Sequence, residues 1–451
     1  MYPGANLGPA WLAARIVGRT PKNIIESVMR LVDSGELPAG SQLPTVRQFA
    51  ALMHISSATV VEAWANLRAS GYLETKRRGG TIVRQRPGSI GSGTSGIVRL
   101  DLSQAVARPE LQPDLGAALM AGLQVATLHR GEREYITHAL RDAVMPTWPF
   151  KAEAWLAAAG GAEGNYSAIA ATLGPNRHVA LEHPTSPSII EALEKLGARM
   201  SPVACDRDGP LPQALETALE NGADSFIYQP CAQTPLGHVV PPYRLTELAS
   251  VLQSRPQVLV AELDTAGPLA CDPGSSIALY LPARVLYVRA YCKTYGIDLK
   301  TSIIAGSQTL VERVIGLRSG GYSVTSRILQ TALAWLLTDP QSIAAVDRAR
   351  HYYAQRRISL IAALRQRGIE CHSPDGLFVW LPVENEEAAL LRLAGQGIEA
   401  SSGIRCRVFP GQLEPHLRLS ATTLPEQADF VDTLADVLAE SAQRQPTPEA
   451  A

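Results

Sequence analysis

The sequence predicts a multidomain protein with a small helical head, a large α/β domain and a smaller α+β domain. Three observations support this prediction. Residues 1–86 are basic and contain short amphipathic helices, residues 87–99 are rich in Gly and Ser, and the chain then alternates apolar strands with long helices. We expect a flexible linker at 87–99, a large domain at 100–340 and a small domain at 341–451.

The composition is typical of a globular protein from a reducing compartment. Of 451 residues, 46% are hydrophobic and 18% are charged, and no apolar run approaches the length of a membrane helix. The six cysteines are scattered without a paired C-x-x-C, which argues against a zinc site or a disulfide framework. We therefore expect a cytoplasmic protein with no metal site and no membrane contact.

The net charge of −1 conceals an asymmetry between the head and the rest of the chain. Residues 1–86 contain 11 Lys and Arg against 5 Asp and Glu, which gives +6, and the remainder contains 30 against 37, which gives −7. A basic head on an acidic body indicates that only the head meets a polyanion.

The head has the pattern of a helix-turn-helix. A first amphipathic helix starts at Pro21, and two short helices follow in LPTVRQFAALMH (43–54) and SSATVVEAWANLRASGYL (56–73), with a tight turn between them. Thr45 and Ser56 are placed to cap these two helices. The second helix of the pair would present its side chains to the major groove of DNA.

A basic hairpin follows the helices. Two β-prone pieces flank a turn that runs from Arg78 to Gly80. Lys76 and Arg77 precede the turn, and no acidic residue follows Glu74 within the head. Lysine and arginine here indicate a wing that lies against phosphate groups and binds with salt-dependent affinity. The alternative interpretation is a solvated helical bundle with a charged hairpin.

Residues 21–86 resemble the winged helix-turn-helix head of GntR-family transcription factors, through SGELPAGSQLPTVRQFA, SSATVVEAW and ASGYLETKRRGGTIV. The family commonly has an arginine where this chain has Ser57, which implies a different base preference there. The resemblance and the basic wing together predict contacts to double-stranded operator DNA from Thr45, Arg47, Ser56, Ser57, Thr59, Lys76, Arg77, Arg78 and Gly80.

The chain beyond the linker has the element order of a doubly wound, mostly parallel sheet. Candidate strands lie at 178–183, 199–205, 225–230, 257–263 and 284–290, with helices such as 187–197, 211–221 and 243–253 between them. Ligands bind at the carboxyl ends of the strands in such sheets. Lys293 follows one of these ends, where it has either simply reached the surface or holds an aldehyde cofactor as a Schiff base.

The last part of the chain has a different pattern. A long amphipathic helix is predicted at 348–368, and the stretches 376–383 and 415–422 alternate apolar and polar residues as half-buried strands do. This order predicts the smaller α+β domain.

Residues from about 100 to 440 are similar to fold-type I aminotransferases of the pyridoxal 5′-phosphate (PLP) superfamily. YQPCAQTPLG matches the turn Y-x-x-P-x-x-Q-N-P-T-G, RAYCKT matches G-S-F-S-K-T, and GLFVWLP and HLRLS match the C-terminal strands. A GntR head on such a body is the architecture of the MocR subfamily of bacterial regulators. The resemblance implies a homodimer, arranged head-to-tail, that responds to a small-molecule effector.

The resemblance also implies roles in a PLP site. Lys293 falls on the lysine that forms the Schiff base, which requires a depressed pKa. Lys300 falls on the arginine that grips the cofactor phosphate, Thr234 on the asparagine at the ring hydroxyl, and Arg418 on the arginine that binds a substrate carboxylate. The expected cofactor-binding residues are Lys293, Lys300, Thr234, Tyr228 and Asp264, with Arg418 binding the ligand.

Other positions depart from the family. Leu263 falls on the Asp that pairs with the ring nitrogen, and strand alternation points its neighbours Glu262 and Asp264 to other faces. Efficient transamination is therefore not expected, although a true PLP-dependent aminotransferase with a DNA-binding head is the rival function. Either PLP binds through Lys293 as a sensor ligand, or the pocket has lost PLP and binds another small molecule or none. Arg418 has the alternative of a structural arginine paired with an acid between domains.

Overall fold

The protein is described here by a computed structural model that covers residues 9–33, 37, 41–69, 72–76, 80–83, 100–320, 324–409 and 414–442. The chain divides into two compact units, residues 1–98 and 99–451. The predicted linker at 87–99, together with Arg77 and Arg78 of the predicted wing, lies outside the described residues.

The first unit is the predicted head of helices and hairpin. Its elements are α1 Pro9–Ala13, α2 Pro21–Asp33, α3 Val46–Met53, α4 Ser57–Ala69, β1 Leu73–Lys76 and β2 Gly80–Val83. Helix α2 buries Ile24, Val28 and Leu31, which recur at helical spacing. The rings of Phe49 on α3 and Trp64 on α4 stack at 5.2 Å and fix the two helices against each other. Strands β1 and β2 pair antiparallel, so the winged helix-turn-helix is confirmed.

The second unit contains the remaining strands and helices. The strands are β3 Leu100–Asp101, β4 Ala154–Ala158, β5 His178–His183, β6 Arg199–Asp206, β7 Gly209–Pro210, β8 Ser225–Tyr228, β9 Leu259–Asp264, β10 Val285–Ala290, β11 Ser302–Gly306, β12 Phe378–Pro382, β13 Ile398–Glu399, β14 Ser401–Ser402 and β15 His416–Ser420. The helices are α5 Leu115–Gly122, α6 His138–Val144, α7 Gly161–Thr172, α8 Pro187–Lys195, α9 Pro212–Glu220, α10 Pro242–Gln253, α11 Cys292–Tyr295, α12 Gln308–Arg318, α13 Arg327–Thr338, α14 Pro340–Gln366, α15 Glu386–Gly395 and α16 Ala428–Ala442.

Eight strands form the large sheet, in the order β4-β11-β10-β9-β8-β5-β6-β7. The pairs β10-β9, β9-β8, β8-β5 and β5-β6 are parallel, whereas β11 runs antiparallel to both of its neighbours. Helices cover both faces, which is why the central strands are continuous apolar runs in the sequence. The predicted doubly wound sheet is confirmed, and the carboxyl ends of β5, β8, β9 and β10 meet at one edge.

Alternation along the strands divides the sheet into two cores. One face carries Tyr228 and Tyr287, which pack with helices that include α10 and α13. The other face carries Leu263 and Val288, which pack with α7 and α12. Neighbouring residues in one strand point to opposite faces of the sheet. Only side chains on the face that carries α7 can therefore reach a ligand near the start of that helix.

The C-terminal part of the second unit has its own core around a three-stranded sheet in the order β12-β15-β14. Strand β3 pairs with β13, and Leu100 and Leu102 join this smaller core although they precede the large sheet in the chain. Among the described residues we find no helix with both the length and the apolar character that a membrane span needs.

One junction joins the C-terminal part tightly to the large sheet. Gly237 has a φ of +75°, and a Cβ there would lie only 2.3 Å from the carbonyl oxygen of Asp375. The carboxylate of Asp375 accepts hydrogen bonds from the backbone N–H groups of Cys271 and Asp272 at 2.8 and 3.0 Å. Arg357 donates to the carbonyl oxygen of Ser373 at 3.0 Å, which holds the loop from the other side.

Candidate ligand cavity and DNA-contacting head

The head places the predicted DNA-contacting residues at the starts of α3 and α4. Thr45 caps α3 and shares a capping box with Gln48, and Arg47 is exposed on the first turn of the helix. Ser56 Oγ accepts a hydrogen bond from the backbone N–H of Thr59 at 3.1 Å, which caps α4 in the same way. The caps fix both helix starts, so exposed side chains there are held ready for a groove of DNA.

The remaining head residues lie on the same recognition helix and on the hairpin. Ser57 is exposed at the first position of α4, whereas Thr59 is half-buried. Lys76 and Gly80 are paired across the hairpin. Predicted roles for Arg77 and Arg78 fall outside the described residues.

The second unit contains a cavity of about 680 Å³ at the carboxyl edge of the large sheet. Lys293, Thr234 and Arg418 all line it, so three of the predicted site residues come together. Lys293 lies on the short helix α11, which directly follows β10, and Arg418 comes from β15 of the C-terminal part. The cavity therefore lies between the large sheet and the smaller C-terminal sheet.

Lys293 has the electrostatic environment of a reactive amine. Burial lowers the pKa of its ammonium group and Cys292 opposes that shift, while the positive charge of Arg418 adds a smaller lowering and Asp264 a still smaller opposing effect. Its Nζ lies 5.8 Å from the centre of the Phe378 ring, and the guanidinium carbon of Arg418 lies 4.7 Å from the same ring centre. The ring holds both cations by cation–π contact without neutralising either.

Arg418 is positioned by neutral oxygen atoms. Its Nη2 donates to the carbonyl oxygen of Ser103 at 3.1 Å and to Ser401 Oγ at 3.3 Å, while Nε has no hydrogen-bond partner. Within the described ranges no carboxylate lies within 4.0 Å of its guanidinium. Burial lowers the pKa of Arg418. The alternative of a structural arginine paired with an acid thus finds no partner in the described part of the chain.

Asp264 does not line the cavity, and its cofactor-binding role stays a prediction. Its Oδ2 accepts from Arg289 Nε at 2.8 Å and from the Tyr287 hydroxyl at 3.1 Å, and its Oδ1 accepts from the backbone N–H of Gly267 at 2.7 Å. Leu263 lies on the opposite face with α7, as strand alternation requires. No register shift brings an acid to that face.

Tyr228 does not line the cavity either, and its cofactor-binding role also stays a prediction. Its side chain is fully buried in the core on the far face of the sheet, and its hydroxyl donates to Glu262. The physical reason is the same as for Asp264. A residue matched to a family motif at one end of a strand can be turned to the other face by alternation.

Lys300 does not line the cavity but lies beside it. Its side chain is exposed and its φ is +38°, and a Cβ on Gly160 would come 3.7 Å from the Lys300 backbone. Gly160 is the N-terminal cap of α7 and provides no capping side chain. Thr234 is buried at the cavity wall, where its backbone N–H donates to Gln229 Oε1 at 3.2 Å.

Sequence reasoning missed the start of α7. Gly161, Ala162 and Asn165 line the cavity, and the buried amide oxygen Oδ1 of Asn165 has no hydrogen-bond partner within the described chain. A signal was present, because AAAGGAEGN places two glycines between a strand and a helix, and such turns bring helix N–H groups close to phosphate. Gly160 adopts a φ of +92°, which favours glycine.

Comparison with known proteins now identifies both units. Residues 20–83 match the bacterial regulatory proteins of the gntR family, and residues 121–434 match aminotransferase class I and II. The chain belongs to the aminotransferase class I and II family. Together with the GntR head, this body makes the chain a MocR-type, DNA-binding transcriptional regulator.

Relatives of this MocR-type chain include two named regulators. The vitamin B6 salvage pathway transcriptional repressor PtsJ of Salmonella typhimurium is 29% identical over 436 residues, which cover 93% of this chain and 98% of that protein. The pyridoxine biosynthesis transcriptional regulator PdxR of Corynebacterium glutamicum is 23% identical over 355 residues, or 75% of this chain and 77% of that protein.

Solved aminotransferases show the same fold as the body of the MocR-type chain. The kynurenine aminotransferase of Pyrococcus horikoshii superposes with a TM-score of 0.68 and 18% identity, over 76% of this chain and 90% of that chain. The α-aminoadipate aminotransferase LysN of Thermus thermophilus, determined with N-(5′-phosphopyridoxyl)-L-leucine, superposes with a TM-score of 0.66 and 21% identity, over 76% and 92% of the chains. The predicted fold-type I body is therefore confirmed.

Proposed function

We propose that the body of this regulator binds PLP through Lys293 and senses an amino compound beside it. One observation carries the proposal: the half-buried, pKa-depressed Lys293 shares its cavity with Arg418 and with the glycine-rich start of α7. The similar regulators PtsJ and PdxR are named for vitamin B6 salvage and pyridoxine biosynthesis, which supports a ligand of this chemistry.

The residues present fit a bound PLP at three points. The neutral amine of Lys293 would hold the aldehyde carbon. The backbone N–H groups and the dipole at the start of α7, a helix of 12 residues, would hold the phosphate, with Gly160 and Gly161 allowing close approach. Asn165 and Thr234 provide polar groups at the cavity wall for the ring substituents.

The ring nitrogen is the point at which the fit differs from an aminotransferase. PLP supplies an electron sink whose strength depends on a protonated ring nitrogen, and a carboxylate beside that nitrogen retains the proton. Leu263 provides no carboxylate, and the nearby Asp264 is committed to Arg289 on the other face. The site is therefore suited to binding a ligand rather than to turning over an amino acid.

Arg418 gives the sensed compound its second contact. Its guanidinium attracts a carboxylate, and Lys293 contacts the same Phe378 ring. A ligand that touches both residues connects the large sheet with the C-terminal part. Such a ligand favours the arrangement in which the two parts are close over the one in which they are apart. The size of this preference equals the difference between its binding free energies for the two arrangements.

We further propose that two copies associate head-to-tail in the cytoplasm and bind one operator. The linker would transmit a change in the body to the spacing between the two heads, and that spacing selects the separation of the DNA half-sites. Sedimentation of the full chain with its upstream DNA tests whether a dimer binds one operator. A monomer bound to a single half-site would contradict the proposal.

The central experiment compares wild type, Lys293→Ala and the control Lys195→Ala, which removes an exposed lysine on α8. Each full-length protein is incubated with PLP, dialysed, and examined for visible absorbance. We expect a retained absorbance band in wild type and Lys195→Ala and none in Lys293→Ala. A band absent from all three would reject PLP and leave a different small molecule as the ligand.

A second measurement tests the head independently. Arg47→Ala should reduce retention of the chain's own upstream DNA on a gel, whereas Arg365→Ala, an exposed arginine of α14, should not. The salt dependence of binding should fall with Arg47→Ala as a phosphate contact is lost. Unchanged retention and unchanged salt dependence would contradict the assigned role of Arg47.

A further inference from the structure

Three side chains with metal-binding chemistry converge outside the Lys293 cavity. Glu182 lies near the end of β5, Cys205 near the end of β6, and His238 in the loop between β8 and α10. One potential ligand atom from each residue lies within 4.8 Å of those from the other two. None of the three lines the Lys293 cavity, so this cluster is a separate feature.

His238 is the observation that points to a ligand. Its side chain is only 1% exposed, yet neither ring nitrogen has a hydrogen-bond partner within the described residues. A buried polar group without a partner is destabilising, so such a group calls for an explanation. A bound metal ion is one explanation, because the neutral imidazole is a common metal ligand.

Glu182 and Cys205 both have capacity for a further partner. Glu182 Oε1 accepts from Thr185 Oγ1 and Gln229 Nε2, and Oε2 accepts from the backbone N–H of Gln229 at 3.0 Å. The thiol of Cys205 has one long contact, 3.7 Å to the carbonyl oxygen of Val203. A metal bound to this sulfur would displace the thiol proton.

A second cavity reaches this cluster at Cys205. It has a volume of about 420 Å³ and is lined by Cys205, His183 and Trp380, among others. The buried Nε2 of His183 also has no hydrogen-bond partner in the described chain. The cavity can supply a water molecule as a fourth ligand, which a three-residue zinc site requires.

We propose that Glu182, Cys205 and His238 form a binding site for a divalent transition metal, with zinc as the best match. Sulfur, imidazole nitrogen and carboxylate oxygen together are ligands that zinc accepts, whereas magnesium and calcium prefer oxygen alone. Ligand distances of about 2.0–2.3 Å would draw the three atoms together by roughly 1 Å, which rotation of the side chains can provide.

The site is connected to the Lys293 cavity by hydrogen bonds. Glu182 binds the amide of Gln229, and Gln229 Oε1 in turn accepts from the backbone N–H of Thr234 and from Thr265 Oγ1, both at 3.2 Å. Thr234 and Thr265 line the Lys293 cavity. A metal that reorients Glu182 would therefore shift the hydrogen bonds of Gln229 at the wall of the Lys293 cavity. The metal site itself does not depend on PLP.

Cobalt provides a direct test, because a cobalt–thiolate bond has a strong near-ultraviolet charge-transfer absorption. Untagged full-length protein is titrated with Co²⁺ alone, and zinc is measured after dialysis. We expect one equivalent of metal, a thiolate band in wild type, and that band displaced by Zn²⁺. No bound metal, or bound metal without a thiolate band, overturns the proposal without any need for a variant.

Variants then identify the ligands. Cys205→Ser and His238→Gln should weaken zinc binding at least about tenfold, which corresponds to ~1.4 kcal/mol. Cys371→Ser, which changes a buried cysteine of the C-terminal core, should bind like wild type. Circular dichroism without metal identifies any variant that fails to fold. If one ligand variant fails, zinc binding by the other tests the assignment. Binding that is unchanged in every folded ligand variant, or lost in Cys371→Ser, overturns the assignment.

Discussion

Asp264 accepts a hydrogen bond from Arg289 Nε at 2.8 Å, and the two side chains are only 2% and 5% exposed. This pair fixes the carboxylate on the face of the sheet that is opposite to α7. Arg289 is held in turn by the carbonyl oxygen of Thr147 at 2.9 Å and by the ring of Trp148. Leu263 falls on the acid that pairs with the ring nitrogen in the family. Its neighbour Asp264 is therefore part of the core.

Removal of one partner of this pair should destabilise the body strongly. Arg289→Met leaves Asp264 buried without its cation, and we expect the free energy of unfolding to fall by about 3–5 kcal/mol. The double variant Arg289→Met/Asp264→Leu should recover much of the loss. Urea unfolding of the full chain, followed by near-ultraviolet circular dichroism, measures both effects.

The control for this prediction is an ion pair of the same type on the surface. Arg365 and Glu370 lie 3.2 Å apart, and their side chains are 61% and 77% exposed. Arg365→Met should cost less than about 1 kcal/mol, since water screens the pair. Equal losses for Arg289→Met and Arg365→Met would show that the buried pair is not structural.

Leu263→Asp should create the carboxylate that the site lacks. The variant should be less stable than wild type without PLP because the new acid is buried and unpaired. PLP should restore part of that stability, since a protonated ring nitrogen pairs with the acid. The measurement is the shift in melting temperature on adding PLP, which we expect to be larger for Leu263→Asp than for wild type or Leu263→Asn. Equal shifts in all three would place Leu263 away from the ring.

The pH dependence of PLP capture should report the environment of Lys293. Since burial and Arg418 lower the pKa of this amine, capture should reach its maximum rate at a lower pH than for an ordinary lysine. Arg418→Gln removes a positive charge and should move the midpoint to higher pH. Stopped-flow absorbance across the pH range measures the midpoint, and an identical midpoint in both proteins would contradict the coupling.

Glu262 should make the body less stable as the pH rises from 5 to 8. Burial raises the pKa of this carboxyl from 4.5 to about 7, against hydrogen bonds from Ser276, Tyr228 and the backbone of Ile277 that favour the charged form. The folded state therefore holds a proton that the unfolded state releases, so stability is greatest below pH 4.5 for this group and is lost as the pH rises through 7. The whole effect amounts to at most about 3 kcal/mol.

Glu262→Gln stays uncharged and should reduce this slope of stability against pH. Glu220→Gln, which changes an exposed residue at the end of α9, should keep the wild-type slope. Urea unfolding at several pH values distinguishes them. A wild-type slope in Glu262→Gln would show that another group is responsible.

Much of the fold could be predicted because its signals are local. Strand β5 was predicted with the bounds that it has, since HVALEH has an apolar centre and lies between turn residues. Lys293 was predicted at the cavity because it follows a buried strand at the carboxyl edge. These positions depend only on residues that are neighbours in the chain.

The remaining features depend on contacts between distant parts of the chain. Strand β3 is two residues long and pairs with β13 near the C-terminus, so no local pattern could assign it. The faces of Asp264 and Tyr228 required the true register of the sheet, which a motif match does not contain. Glu182, Cys205 and His238 come from three elements, and the spacing rules for zinc sites detect only ligands close in sequence.

The contact between Gly237 and Asp375 couples the large sheet to the C-terminal part. With no room for even one methyl group there, any side chain at Gly237 would displace the backbone of Asp375. Arg418 belongs to the same C-terminal part, so such a displacement should move it relative to Lys293. A larger side chain at Gly237 should therefore weaken the response of the regulator to its ligand, even with every ligand-contacting residue unchanged.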